Sequence, residues 1–145
     1  MAHLSSRISQ QVKIHIVAII SLVTALSGLL YNSWRDHQNE LNHNMRNAAF
    51  EVLKDLGELQ TIVNYAHFGM DSTRGHPIEG WKYAIQIRDL SRLLTPASQQ
   101  QGTQLYLVWE QDSATLNSDN ASELRISAQI AETRTAVLSA IDALQ

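Results

Sequence analysis

The run LNHNMRNAAFEVLKDLGELQTIVNYA, residues 41–66, decides the fold. Its apolar side chains Leu41, Met45, Ala48, Val52, Leu56, Leu59, Val63 and Ala66 recur at steps of three and four throughout. At ~3.6 residues per turn that spacing lays one apolar stripe along a helix, close to the seam of a coiled coil. No proline falls between Trp34 and Phe68, Gly57 is the one interior glycine, and Gly69 supplies a stop signal.

Three more helices follow. Residues 70–76 read as a loop, and Pro77 opens a second helix, because a first-turn position has no N–H bond to lose. Its apolar face is Trp81, Ala84, Ile85, Ile87, Leu90 and Leu94. Thr95-Pro96 reads as an N-cap followed by proline at the first helical position, opening a third helix with Leu105, Val108, Trp109 and Leu116 on its face. After the turn 117–120, Asn120 with Glu123 gives a capping-box pattern. The fourth helix then carries Ile126, Ile130, Thr133, Val137, Ile141 and Leu144 on one stripe. Amphipathic helices with short connections give an antiparallel up-and-down four-helix bundle.

Toward the N-terminus, IHIVAIISLVTALSGLLYNSW, residues 14–34, contains no Asp, Glu, Lys or Arg. As a helix it would span ~31 Å, the thickness of a bilayer's hydrocarbon core. Trp34 and Arg35 suit the interface at its end. A cleaved signal peptide is the competing reading, with Ala25-Leu26-Ser27 as its small-x-small site. The apolar run continues past that site through Leu29, Leu30 and Tyr31, so an uncleaved anchor is expected. With no cysteine in the chain, anchoring through a lipidated cysteine is excluded, as are haem attachment through cysteines and Cys-His zinc.

Arg7 and Lys13 precede the span with no acidic residue beside them, which favours a cytoplasmic N-terminus. After Trp34 the chain carries all 14 of its acidic residues and 9 of its 11 basic ones. The expected organisation is a cytoplasmic segment 1–13, a transmembrane helix 14–34 and an extracytoplasmic bundle 35–145, periplasmic in a Gram-negative bacterium. Residues 31–40 would form a stalk. The acidic balance argues against nucleic-acid binding and against a lipid-binding role for the bundle.

No motif carries an enzymatic assignment. Glu40-x-x-His43 matches the motif of di-iron bundles, but that site needs the motif on two helices plus a Glu from each of the others. Here it occurs once, among Asp36, His37 and several amides, and a solvated polar surface accounts for it. There is no Gly-x-Ser-x-Gly elbow, Ser-x-x-Lys or phosphate loop. Neither a catalytic residue nor a metal or cofactor is expected.

The densest group of recognition-type residues is Tyr65, His67, Asp71, Arg74, His76 and Trp81, with Phe68 and Tyr83 nearby. Arginine and aromatic side chains suit a ligand or partner surface. The plainer account is that Tyr65, Phe68 and Trp81 close the end of the core while His67 caps its helix. Within the span, Ala18, Ser21, Ala25 and Gly28 share one face, as a close helix–helix contact in lipid requires.

Through Tyr31-Asn32-Ser33-Trp34-Arg35 and Ala48-Ala49-Phe50-Glu51-Val52-Leu53, roughly the first 70 residues resemble uncharacterised single-pass envelope proteins of marine and related gammaproteobacteria. That resemblance carries no activity to transfer. In layout the chain is also loosely similar to the four-helix sensor domains of bacterial chemoreceptors, but without a second span. The function expected is a non-enzymatic, membrane-anchored helical protein. It would act by protein–protein contact, as an accessory or scaffold subunit of an envelope complex, with a protein partner or a second copy meeting it through the transmembrane helix. The alternative is a sensor-like bundle that binds a small ligand; a metal enzyme using the stalk His and Glu residues is the weakest rival.

Overall fold

The computed structural model describes residues 2–69, 71 and 73–144, with side chains from His15 onward. The chain is all-helical: α1 (Ala2–His67), α2 (Pro77–Ser91), α3 (Pro96–Asp112), a 3₁₀ turn (Ser113–Thr115) and α4 (Asn120–Asp142). It divides into two compact units, residues 1–41 and 42–145. Arg7, Lys13, Met70 and Ser72, which entered the topology and loop readings, lie outside the described side chains.

In the first unit every described side chain from His15 to Leu41 is exposed. Here α1 holds a stretch long and apolar enough to cross a membrane, with mean hydropathy 1.8 and none of it buried by the chain. The Thr24 hydroxyl donates to the Ile20 carbonyl at 2.9 Å, which satisfies a polar group that lipid could not. Tyr31 and Trp34 lie one turn apart, with ring centroids 6.3 Å apart.

The second unit is the bundle. Ala49, Val52, Leu56, Leu59, Ile62, Val63 and Ala66 of α1 form one core with Ala84 and Ile87 of α2, Leu105 and Trp109 of α3, and Ile126, Ile130 and Val137 of α4. Fully burying a side chain such as Leu56 or Ile87 contributes ~1.5–3 kcal/mol. Three polar contacts set α3 antiparallel to α4: Ser98 Oγ to the Ala136 carbonyl, Thr133 Oγ1 to the Gln101 carbonyl, and Arg125 to Asp112. α2 lies antiparallel to α3 through Gly80 against Trp109 and Ser91 against Gly102. α1 meets α4 where Gln60 Nε2 donates to Ser127 Oγ at 3.0 Å.

Several expectations are corrected. Leu41 is exposed, so the buried stripe begins at Ala48, and it includes Asp55, which is only 5% exposed. Ile85 faces outward and Ile141 is half-buried, with Ala140 taking the buried position on α4. Leu116 is buried but lies beyond α3, because the chain tightens into the 3₁₀ turn after Asp112. The cap of α4 is Asp119, not Asn120: its carboxylate accepts from the Ala121 and Ser122 N–H groups, both at 3.1 Å. Glu123 is thereby freed from the capping box and accepts instead from Ser127 Oγ at 2.7 Å. The two expected proline starts hold: Pro77 opens α2 and Pro96 opens α3 behind Thr95.

Candidate functional site

The loop after α1 folds back on the helix that precedes it. The N–H groups of Phe68 and Gly69 both donate to the Asn64 carbonyl, and that of Asp71 reaches the Tyr65 carbonyl at 3.2 Å. Asp71 Oδ1 then accepts from the Thr73 and Arg74 N–H groups at 3.0 and 3.1 Å, an Asx-type turn. Those two donors, Arg74's first, hold the Asp71 carboxyl below the usual carboxylate range. Next, Gly75 is buried against α1: a Cβ there would collide with the Ala66 backbone and stand 2.7 Å from the Tyr65 carbonyl carbon. Only glycine lets the two backbones approach so closely.

Within this frame Tyr65, Asp71 and Arg74 come together. The Arg74 guanidinium lies 5.4 Å from the Tyr65 ring centroid and donates to its hydroxyl at 3.3 Å. Arg74 Nε stands 3.7 Å from Asp71, with the Arg74 side chain exposed and Asp71 partly buried. His67 does not cap its own helix. Its Nδ1 lies 2.8 Å from the Leu116 carbonyl, which can only accept, so that nitrogen carries a proton and ties α1 to the α3–α4 corner. The His67 ring meets Phe68 edge-on at 4.8 Å, and Phe68 itself is two-thirds exposed. His76 is the N-cap of α2: its Nδ1 accepts from the Ile78 N–H at 3.2 Å. Histidine is not among the usual capping residues, which hid this role.

Trp81 has other partners. It packs on the core and stacks edge-on with Tyr106 of α3 at 5.6 Å, and the Arg88 guanidinium lies 4.5 Å from the other ring in that pair, Tyr106. Neither Arg88 nor Tyr106 stands out by spacing, since the contact joins two helices.

A second polar group stands at the α3–α4 corner. Arg125 donates to both oxygens of the buried Asp112, at 3.0 and 2.7 Å, and to Ser122 Oγ at 3.2 Å. Ser122 Oγ in turn donates to Asp119 Oδ2 at 2.6 Å. The Ser122 hydroxyl, followed by the Ala121 N–H, holds the Asp119 carboxyl below its usual range. These groups satisfy one another, and the arrangement is that of a structural clasp.

In the apolar stretch of α1, Ala18, Ser21, Ala25 and Gly28 are all exposed, and a Cβ added at Gly28 would meet nothing within 4 Å. Asp36, His37 and Glu40 line an open face of a single helix together with Leu29, Asn32 and Ser33. Among the described residues no group of three or more His, Asp or Glu is placed to hold a metal ion. An open groove between α3 and α4 is lined by Ala97, Gln100, Gln101, Glu132, Thr135 and Ala136. No family model, curated protein or solved structure matches the chain.

Proposed function

We propose that this is a single-pass membrane protein with a helical bundle outside the bacterial cytoplasmic membrane, acting by protein–protein contact as an accessory or scaffold subunit of an envelope complex. The observation that carries this reading is a contrast within α1. From Ala48 to Ala66 one apolar stripe is buried by the bundle, with Phe50 left outside it; from Ile16 to Leu30 the large apolar side chains are all exposed to whatever surrounds the helix. A run of Ile16, Val17, Ile19, Ile20, Leu22, Val23 and Leu26, all at least 49% exposed, calls for a non-aqueous environment. Lipid fits it in length, in the inward-bonded Thr24 hydroxyl, and in the Tyr31–Trp34 pair at the end.

A contact role is supported by what the bundle presents. The polar side chains of the loop and of the α3–α4 corner bond one another. Exposed Phe68 and Ile78, each 66% accessible, flank the loop. Aromatic and Arg groups of this kind are enriched at contact surfaces. Within the span, the Ala18, Ser21, Ala25 and Gly28 face would meet a second helix.

The test is affinity capture of the detergent-solubilised full-length protein, alongside a reporter fused after Gln145 and an alkaline wash of membranes. Retention in the washed membrane, an exported reporter and a stoichiometric protein partner are expected. Loss to the wash, or a mature form beginning near Gly28, would overturn the anchor. Thermal stabilisation by small solutes with no captured partner would favour the ligand-binding alternative.

A further inference from the structure

We infer that His76 makes the start of α2 an acid-sensitive joint. In the described geometry its Nδ1 is an acceptor, taking the Ile78 N–H at 3.2 Å, and its backbone is extended, as an N-cap requires. An imidazole nitrogen accepts only while it carries no proton. Protonated histidine is a donor at both nitrogens, so the cap is lost on charging. The new positive charge would also stand at a helix N-terminus, whose dipole already presents positive charge. Histidine is the side chain that ordinarily makes this change between pH 5 and 8. The usual caps Ser, Thr and Asn do not titrate there.

The position of the joint gives the change a consequence. His76 closes the loop whose other end is α1, and Gly75 immediately before it is wedged against Ala66. The charged residues nearest to it along the chain are Asp71 and Arg74 in the loop, which engage each other, and Glu79 in the first turn of α2. From α1 the ionisable groups brought to the same loop are Tyr65, bonded to Arg74, and His67. At the α3–α4 corner Asp112, Asp119 and Arg125 are engaged with one another. The His67 tie differs: its Nδ1 donates to the Leu116 carbonyl, and an N–H stays a donor whether or not the other ring nitrogen is protonated. Acid therefore loosens the loop at the α2 end alone and leaves the α1 end tied.

This inference does not depend on the proposed function and is tested by NMR. Full-length protein in detergent micelles, labelled at histidine nitrogen, should show His76 with Nδ1 unprotonated at pH 8 and His67 with Nδ1 protonated. After correction for intrinsic exchange, the protection of the Ile78 amide should fall by about two- to thirty-fold between pH 8 and 5, the range that loss of a side-chain cap spans. In His76→Ser that protection should be flat with pH, while His67→Gln should keep the wild-type fall. A proton on His76 Nδ1 at pH 8, a flat wild-type profile, or an undiminished fall in His76→Ser would each overturn the assignment.

Discussion

Gly80→Ala and Gly57→Ala make the same chemical change on two helices and should have opposite signs. Replacing glycine by alanine inside a helix ordinarily stabilises by up to ~1 kcal/mol, since alanine loses less backbone freedom on folding. At Gly57 a Cβ would meet nothing within 4 Å, so that gain is realised almost whole. At Gly80 the Cβ would fall 2.9 Å from Trp109 Cε2 and closer still to Cζ2 and Cη2. Trp109 is fully buried and rigid, so it cannot yield as the end of a flexible chain would. Overpacking of this kind costs ~1–3 kcal/mol, which outweighs the propensity gain at a first-turn position. The two variants should thus differ by ~1–4 kcal/mol, on the order of 4–8 °C in Tm for each kcal/mol in a unit of this size. Thermal unfolding of the full-length protein in mild detergent, followed by far-ultraviolet circular dichroism, measures the gap. Equal melting temperatures, or a Gly80→Ala protein more stable than Gly57→Ala, would refute the close α2–α3 packing.

Asp55→Asn should stabilise the bundle at neutral pH. Burial, the largest influence, raises the Asp55 carboxyl above its ordinary value, so the charged form is disfavoured in the folded state. The stability lost to that charge grows as pH rises from the unfolded value through the raised folded one, so the gap between variant and wild type should widen with pH across urea titrations. Arg125→Gln should lower Tm sharply by stranding the buried Asp112, and Arg125→Lys should restore only part, since lysine cannot reproduce the two-pronged contact. If the small-residue face of the span makes a contact, Ala25→Ile or Gly28→Ile should weaken association in a membrane two-hybrid assay, while Leu22→Ile and Leu26→Ile leave it intact. Equal behaviour of all four would leave the span as an anchor only.

Periodicity made the helices legible, because burial on one face imposes a 3.6-residue repeat that any reader of the chain can see. Val52, Leu56, Leu59 and Val63 are fully buried, in the expected stripe. Asp55 lies within the same buried stripe and was invisible, since a carboxylate breaks the pattern that is being sought. Prolines gave two helix starts correctly, because their fixed φ and missing N–H act locally. The cap of α4 slipped by one residue, where Asp119 and Asn120 are both good capping types and only the backbone decides between them. At the loop, Tyr65, Asp71 and Arg74 lie within ten positions and meet through a turn that Asp71 itself builds. Proximity in sequence groups Trp81 with them, but a partner on another helix, Tyr106, claims it. Contacts such as His67 to Leu116 or Arg125 to Asp112 leave no periodic trace.

The polar side chains inside the bundle also explain why one arrangement of these helices wins over its neighbours. Apolar stripes tolerate sliding, since one Leu packs nearly as well as the next a turn away. Between α3 and α4 sliding is costly: Ser98 with Ala136, Gln101 with Gln129 and Thr133, and Asp112 with Arg125 form successive rungs. A slip of one helical turn, ~5.4 Å, would break all of them at once and leave the Asp112 charge buried alone. Between α2 and α3 the same job falls to shape, with Gly80 receiving Trp109 and Gly102 receiving Ser91. Among the described residues the Trp109 indole N–H and the Ser91 hydroxyl are buried without a side-chain or backbone partner, a cost that the packing at these glycine steps must offset. α3 therefore holds register on both of its sides, by hydrogen bonds toward α4 and by glycine steps toward α2. α1, which adds the longest apolar stripe, is fixed along the bundle by the Gln60–Ser127 and His67–Leu116 bonds and by the close approach of Gly75 to Ala66.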